Sequence, residues 1–340
     1  MPDRPAAPAG ELTAPAREAA AGQPGGGAPF LRGWAVAERL LGSRPVRWGF
    51  VVLAVGLGGY WVAEHWGSVT AALGRLEFLA VAAALLSVLA ALLATMEQWR
   101  LLLAGLGSPL PRRAAARIFF IGQLGKYVPG SVWPVLAQME LGTAHKVPRH
   151  RSASASVLTM LLSLFAGLLV ALVTLPFVPG TRSYRWVFLA APVLLVCLQP
   201  RVLNRGLDRL LRLARRPPLD QPLSGRMIAG ALAWSLASWV FFGLQIWLLA
   251  TRLGLPYGRG ALLAVGGFAF AWCVGFVIVF VPVGAGVRDV LLIAMLGPLI
   301  GAGAATATAL VSRVVMTAGD LIMAAAAAGL ARRFRREGAP

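Results

Sequence analysis

Histidine and cysteine are nearly missing from this sequence, with three of the first, at 65, 145 and 150, and two of the second, Cys197 and Cys273. Both cysteines lie inside apolar blocks, so neither a disulfide framework nor a thiolate zinc site is expected. The scattered histidines argue against a His-based metal centre, and no cofactor is expected. Lysine is also rare: of 32 basic residues only Lys126 and Lys146 are lysine, an arginine bias that points to a GC-rich bacterial genome. Charged residues make up 13 % of the chain against 58 % hydrophobic, where soluble domains run at about half apolar and about a quarter charged. A water-soluble fold is excluded on that balance. Also absent are an acidic metal-binding motif, a nucleophile–base pair and a nucleotide loop, which argues against an enzyme.

What is present is a set of apolar blocks long enough to cross a hydrocarbon core of about 30 Å. Six segments read as full crossings: 48–63, 78–96, 154–176, 184–198, 227–249 and 306–330, the fourth being short. Two further apolar stretches, 114–142 and 261–303, are interrupted near their middles by Pro129-Gly130 and by Pro282, Gly284 and Gly286. Proline removes a backbone donor and glycine loosens a helix, so each stretch should be a broken helical hairpin. The fold class is therefore all-α, a polytopic membrane protein with about six crossings and two re-entrant hairpins. Residues 1–47 read as a disordered to amphipathic tail, 48–331 as the membrane domain, and 332–340 as a short basic tail. No signal peptide is expected.

The net charge of +19 fits loops obeying the positive-inside rule better than a nucleic-acid surface. Twenty-two loop arginines and lysines fall on one side of the spans, against five on the other: Arg75, Arg182, Arg185, Arg252 and Arg259. Both termini are then cytoplasmic. With that orientation the first hairpin enters and leaves on the cytoplasmic side and the second on the outer side. The order helix, broken hairpin, helix occurs twice with opposite orientation, which is the plan of an inverted-topology repeat with a midplane substrate site.

A charge near the bilayer centre costs about 2.5–3.5 kcal/mol on insertion scales, so it must be paired or face a cavity. Lys126, Glu140, Arg288, Asp289, Arg313 and Asp320 are the candidates. The cations suit an anionic headgroup; equally, the charges could pair among themselves and only hold the hairpins. Arg313 and Asp320 share a helical face about 10 Å apart along the axis, too far for an easy bond; Asp289 is the first partner expected for Arg313. Glu140 could instead sit at the cytoplasmic interface. Tyr127 and Trp133, flanking the first break, either line a lipid groove or pack. Trp234, Ser238 and Gln245 form one face of the fifth span, read as helix packing.

The run Gly122-Gln123-Leu124-Gly125-Lys126-Tyr127-Val128-Pro129-Gly130 resembles the signature of the lysylphosphatidylglycerol synthase transmembrane family, which includes the flippase-like domain of the multiple peptide resistance proteins. Trp99-Arg100, the run Pro282–Asp289 and Arg313 support the likeness across roughly residues 50–330. Asp289 stands where family members often carry Glu. The resemblance implies a plasma-membrane lipid flippase or transporter for an anionic or aminoacylated phospholipid. Lys126, Arg288, Arg313, Asp289, Asp320, Gln123, Tyr127 and Trp133 would then be substrate-binding, and Pro129, Gly130, Pro282, Gly284 and Gly286 helix-breaking. Ending at Pro340, the chain is not expected to carry the soluble aminoacyl-transfer domain of the larger relatives. The alternative reading is a membrane-embedded enzyme or accessory subunit in lipid or envelope biosynthesis. Partners other than lipid would be a second copy of the chain or an envelope-biosynthesis protein.

Overall fold

The computed structural model describes residues 66–127, 132–177, 223–277 and 286–337, with isolated positions at 63, 199, 201–202, 204–206 and 209. All of these belong to one compact unit, Arg47–Pro340. The expected crossings 48–63 and 184–198 lie outside the described residues, as do Pro129, Gly130, Pro282 and Gly284. Among the described residues every regular element is helical. In order they are α1 (Trp66–Leu73), α2 (Phe78–Gly105), α3 (Arg112–Gln123), α4 (Trp133–Thr143), α5 (Arg149–Thr174), α6 (Gly225–Arg252), α7 (Tyr257–Val277), α8 (Val287–Ile300) and α9 (Ala302–Glu337). A 3₁₀ turn, Leu124–Tyr127, extends α3.

Five of these are long and apolar enough to cross a membrane: α2, α5 with its 3₁₀ extension, α6, α7 and α9. In hydrocarbon only a segment that satisfies its own backbone is stable, and these alanine- and leucine-rich runs do so as helices. Three boundaries differ from the sequence expectation. Helix α2 does not stop at 96 but continues to Gly105, because Glu97 is neutralised by Arg100 and Arg112 rather than ending the apolar span. The first arm of the second broken stretch, α7, is 21 residues long and of spanning length by itself, while its second arm, α8, has 14. Helix α1 follows the first expected crossing and packs on α9, with Ser68 against Gly303.

The two halves repeat each other in detail. Helices α2 and α6 are both 28 residues long, starting at 78 and 225. Each ends in the same glycine-terminated cap. Gly107 (φ 80°) and Gly254 (φ 103°) take the left-handed conformation, and Ser108 and Leu255 donate back to the carbonyls of Leu103 and Ala250 at 3.1 and 3.0 Å. The two helices also form the most extensive contact in the fold. Thr95 meets Ser238, Ser87 meets Phe241, Leu101 meets Gly230 and Met227 meets Gly105, so they run antiparallel. Around this pair the other contacts come in matching sets: α3 with α4 and α7 with α8, α4 with α5 and α8 with α9, α3 with α9 and α7 with α5.

Each hairpin is closed by small residues. A Cβ on Gly125 would lie 2.8 Å from the backbone of Trp133 and Pro134, and one on Gly122 would meet Gln138 at 2.5 Å. The arms α3 and α4 therefore touch along their length, antiparallel. In the second pair Gly267 packs on Met295.

Candidate functional site

Helix α9 carries two opposite charges, Arg313 and Asp320, each joined to a different hairpin. Asp320 is 5 % exposed. Its Oδ2 accepts from the Lys126 ammonium at 2.6 Å and from the Tyr127 hydroxyl at 2.6 Å, both from the 3₁₀ turn that ends the first arm of hairpin one. About two turns away, Arg313 pairs with Asp289 Oδ2 in the first turn of α8. Asp289 sits where a helix N-terminus favours a negative charge. Its other oxygen accepts from Arg288 at 3.2 Å. The Arg288 guanidinium also lies 5.7 Å from the Phe268 ring centroid on α7 and 3.5 Å from the Met316 sulfur on α9. The start of α8 is set by Gly286, at φ 103°, whose carbonyl accepts from Val290 N at 2.7 Å.

Lys126, Asp320, Arg288, Asp289 and Arg313 thus form a chain of alternating charge along one face of α9, with three cations against two carboxylates. Buried charges of this kind persist only with partners. One positive charge is left over. Arg288 and Arg313 share Asp289, so the excess falls on that pair, and the Arg313 Nε is buried without a hydrogen-bond partner among the described residues. The Arg313 side chain as a whole is 41 % exposed and that of Lys126 33 %, so both cations can be reached from outside the pairings. Helix α5, the counterpart of α9 in the first half, carries no charged residue from 152 to 174. The charge chain belongs to one half only.

The other expected site residues fall around this cluster. Gln123 is half-buried at the end of α3, and Tyr127 and Trp133 are exposed, at 43 % and 45 %, on either side of the break. Tyr127 is tied to Asp320 by its hydroxyl, which sequence alone did not indicate. Arg313 does pair with Asp289, and Asp320 bonds hairpin one rather than Arg313. Glu140 stands apart from the cluster: it is exposed and held by Arg149 at 2.8 Å. Ser238 and Gln245 are helix-packing groups, bonded to Thr95 and Ser312 at 2.8 Å each.

Two features were missed. Glu97, 7 % exposed, bonds Arg100 and Arg112 at 2.7 and 2.8 Å and so fastens the end of α2 to the start of hairpin one. The Glu-x-x-Arg spacing at 97–100 was the available signal. A buried polar seam joins α2, α4 and α5. Trp99 donates to Ser156, Ser156 donates to Gln138 at 2.5 Å, and Gln98 is bonded to Thr159 and Ser163. Among the described residues no group of histidine, cysteine and acidic side chains is placed to hold a metal ion.

Fold and site together define a multi-pass α-helical membrane protein, built from two antiparallel halves with paired charges at their helical hairpins. The chain matches the family described as Lysylphosphatidylglycerol synthase TM region over residues 49–324, and belongs to it. No curated protein and no solved structure gives a match.

Proposed function

We propose that this protein moves an anionic or aminoacylated phospholipid between the leaflets of the plasma membrane, with both termini cytoplasmic. The observation that carries the reading is the excess of one cation among these charges, with the Arg313 and Lys126 side chains partly exposed. A phosphate diester supplies one negative charge and several acceptor oxygens, which complements that surplus. Lys126, Arg288 and Arg313 neutralise the phosphate, while Asp289 and Asp320 aim the cations and meet the amine of an aminoacylated headgroup. Gln123, Tyr127 and Trp133 line the path. The hairpins dip in from opposite faces, the headgroup crosses between them, and the acyl chains stay in lipid.

Family membership supports a lipid-related role, and the antiparallel repeat supports alternating access, since inverted repeats place substrate sites between discontinuous helices. The test is leaflet exchange in proteoliposomes carrying fluorescent phosphatidylglycerol, lysyl-phosphatidylglycerol or phosphatidylcholine. Faster exchange of the first or second than in protein-free vesicles is expected. Equal rates with and without protein for every headgroup would refute it.

A further inference from the structure

The α2–α6 pair is packed unequally at its two ends, and the looser end is the one away from Glu97. A cleft of about 280 Å³ lies there, walled by Leu79, Ala80, Ala83 and Leu248, with Arg252 and the Trp247–Tyr257 pair among its lining. Its origin is visible in the repeat. Advancing 147 residues turns the α2 start, 78, into the α6 start, 225, and it turns Gly105 into Arg252, Leu101 into Leu248, Ala80 into Met227 and Ala83 into Gly230. At the far end of the pair the groove is filled: Met227 lies on Gly105, and Leu101 lies on Gly230. At this end the equivalent of Met227 is Ala80, whose methyl cannot fill the same space, and the groove stays open.

The chemistry of the opening names what fills it. Both walls belong to helices of spanning length, and neighbouring Phe78 and Leu79 are 87 % and 71 % exposed, so the rim of the cleft is apolar. At its polar end stands Arg252, half-exposed and, among the described residues, paired with the exposed Glu77 at 3.5 Å. Beside it Trp247 donates to the Tyr257 carbonyl at 3.1 Å and packs edge-on against the Tyr257 ring, the arrangement of aromatics found at membrane interfaces. An apolar slot ending in an arginine at that depth matches one molecule class: an anionic phospholipid, one acyl chain in the slot and its phosphate on Arg252.

We infer that this cleft binds one anionic phospholipid between α2 and α6. None of its residues belongs to the charge chain on α9, so the site stands whether or not translocation does. Trp247 reports on it directly. In detergent, titration with phosphatidylglycerol carrying brominated acyl chains should quench a saturable part of the tryptophan fluorescence, and that part should vanish in Trp247→Phe. Ala80→Met, which copies the plug at the other end, should abolish it with the melting temperature kept. Arg252→Gln should retain quenching but lose the preference for brominated phosphatidylglycerol over brominated phosphatidylcholine. Unchanged saturable quenching in a folded Ala80→Met protein, or no headgroup preference in the wild type, would overturn the site. Should Ala80→Met fail to fold, the headgroup comparison between wild type and Arg252→Gln decides alone.

Discussion

Asp320 shows how much a single side chain is asked to do. It is almost fully buried, and one of its oxygens takes both the Lys126 ammonium and the Tyr127 hydroxyl. Replacing it with alanine leaves both donors unmatched. Lys126 keeps a third of its side chain exposed, so the expected loss is about 2–3 kcal/mol, below the full cost of stranding a buried charge. Thermal unfolding in detergent reads it. Adding Lys126→Met should restore part of the loss, since the orphaned ammonium goes with it; a double variant no better than Asp320→Ala would show that the pair is not coupled. The sequence named every member of the charge chain, because charged residues in apolar runs are conspicuous. It also pointed Arg313 to Asp289, but it did not show that Lys126 and Tyr127 bond Asp320. Arg313 and Asp320 share a helix face, but their partners come from hairpins more than twenty residues away in the chain, and such closure is set by tertiary packing.

Gly125 illustrates the scale of elements. It is the position where the two arms of hairpin one come closest, backbone against backbone, and an added methyl has 2.8 Å to Pro134 N. Neither Trp133 nor Pro134 can yield by rotating a side chain, because the near atoms are main chain. Gly125→Ala should therefore destabilise by about 1–3 kcal/mol and displace Lys126 from Asp320. Gly267→Ala, facing only the flexible Met295 at 3.4 Å, should be far milder. Comparing the two melting temperatures checks this, and equal effects would contradict the close-packed turn. The first break was legible, since α3 ends at Gln123 and α4 starts at Trp133, while the residues of the second, 278–285, lie outside the described ones. The length of α7 was not legible. The Gly266-Gly267 pair reads from sequence as a close-packing surface, and there Thr174, Leu175 and Met295 come up against the helix.

Across the whole molecule the governing fact is the antiparallel repeat, with α2 on α6 at its centre. Topology could be inferred from loop arginines, but residue-level likeness between halves is hidden, because apolar side chains in lipid interchange freely and only helix lengths and glycine caps are retained. The repeat is symmetrical in its helices and asymmetrical in its charges. One half contributes the helix that binds both hairpins, so a movement of α9 is felt by both at once. This is the arrangement that alternating access needs. It also leaves Arg313, paired with the one carboxylate that Arg288 shares, as the group with capacity to spare.

Arg313→Gln in the reconstituted protein is the sharpest test. Asp289 keeps Arg288, and Lys126 keeps Asp320, so the fold should survive with its melting temperature nearly unchanged. Removing the surplus charge should slow exchange of fluorescent phosphatidylglycerol by about tenfold, the loss of one charge-assisted contact. Exchange at the wild-type rate by a correctly folded Arg313→Gln protein would contradict the account.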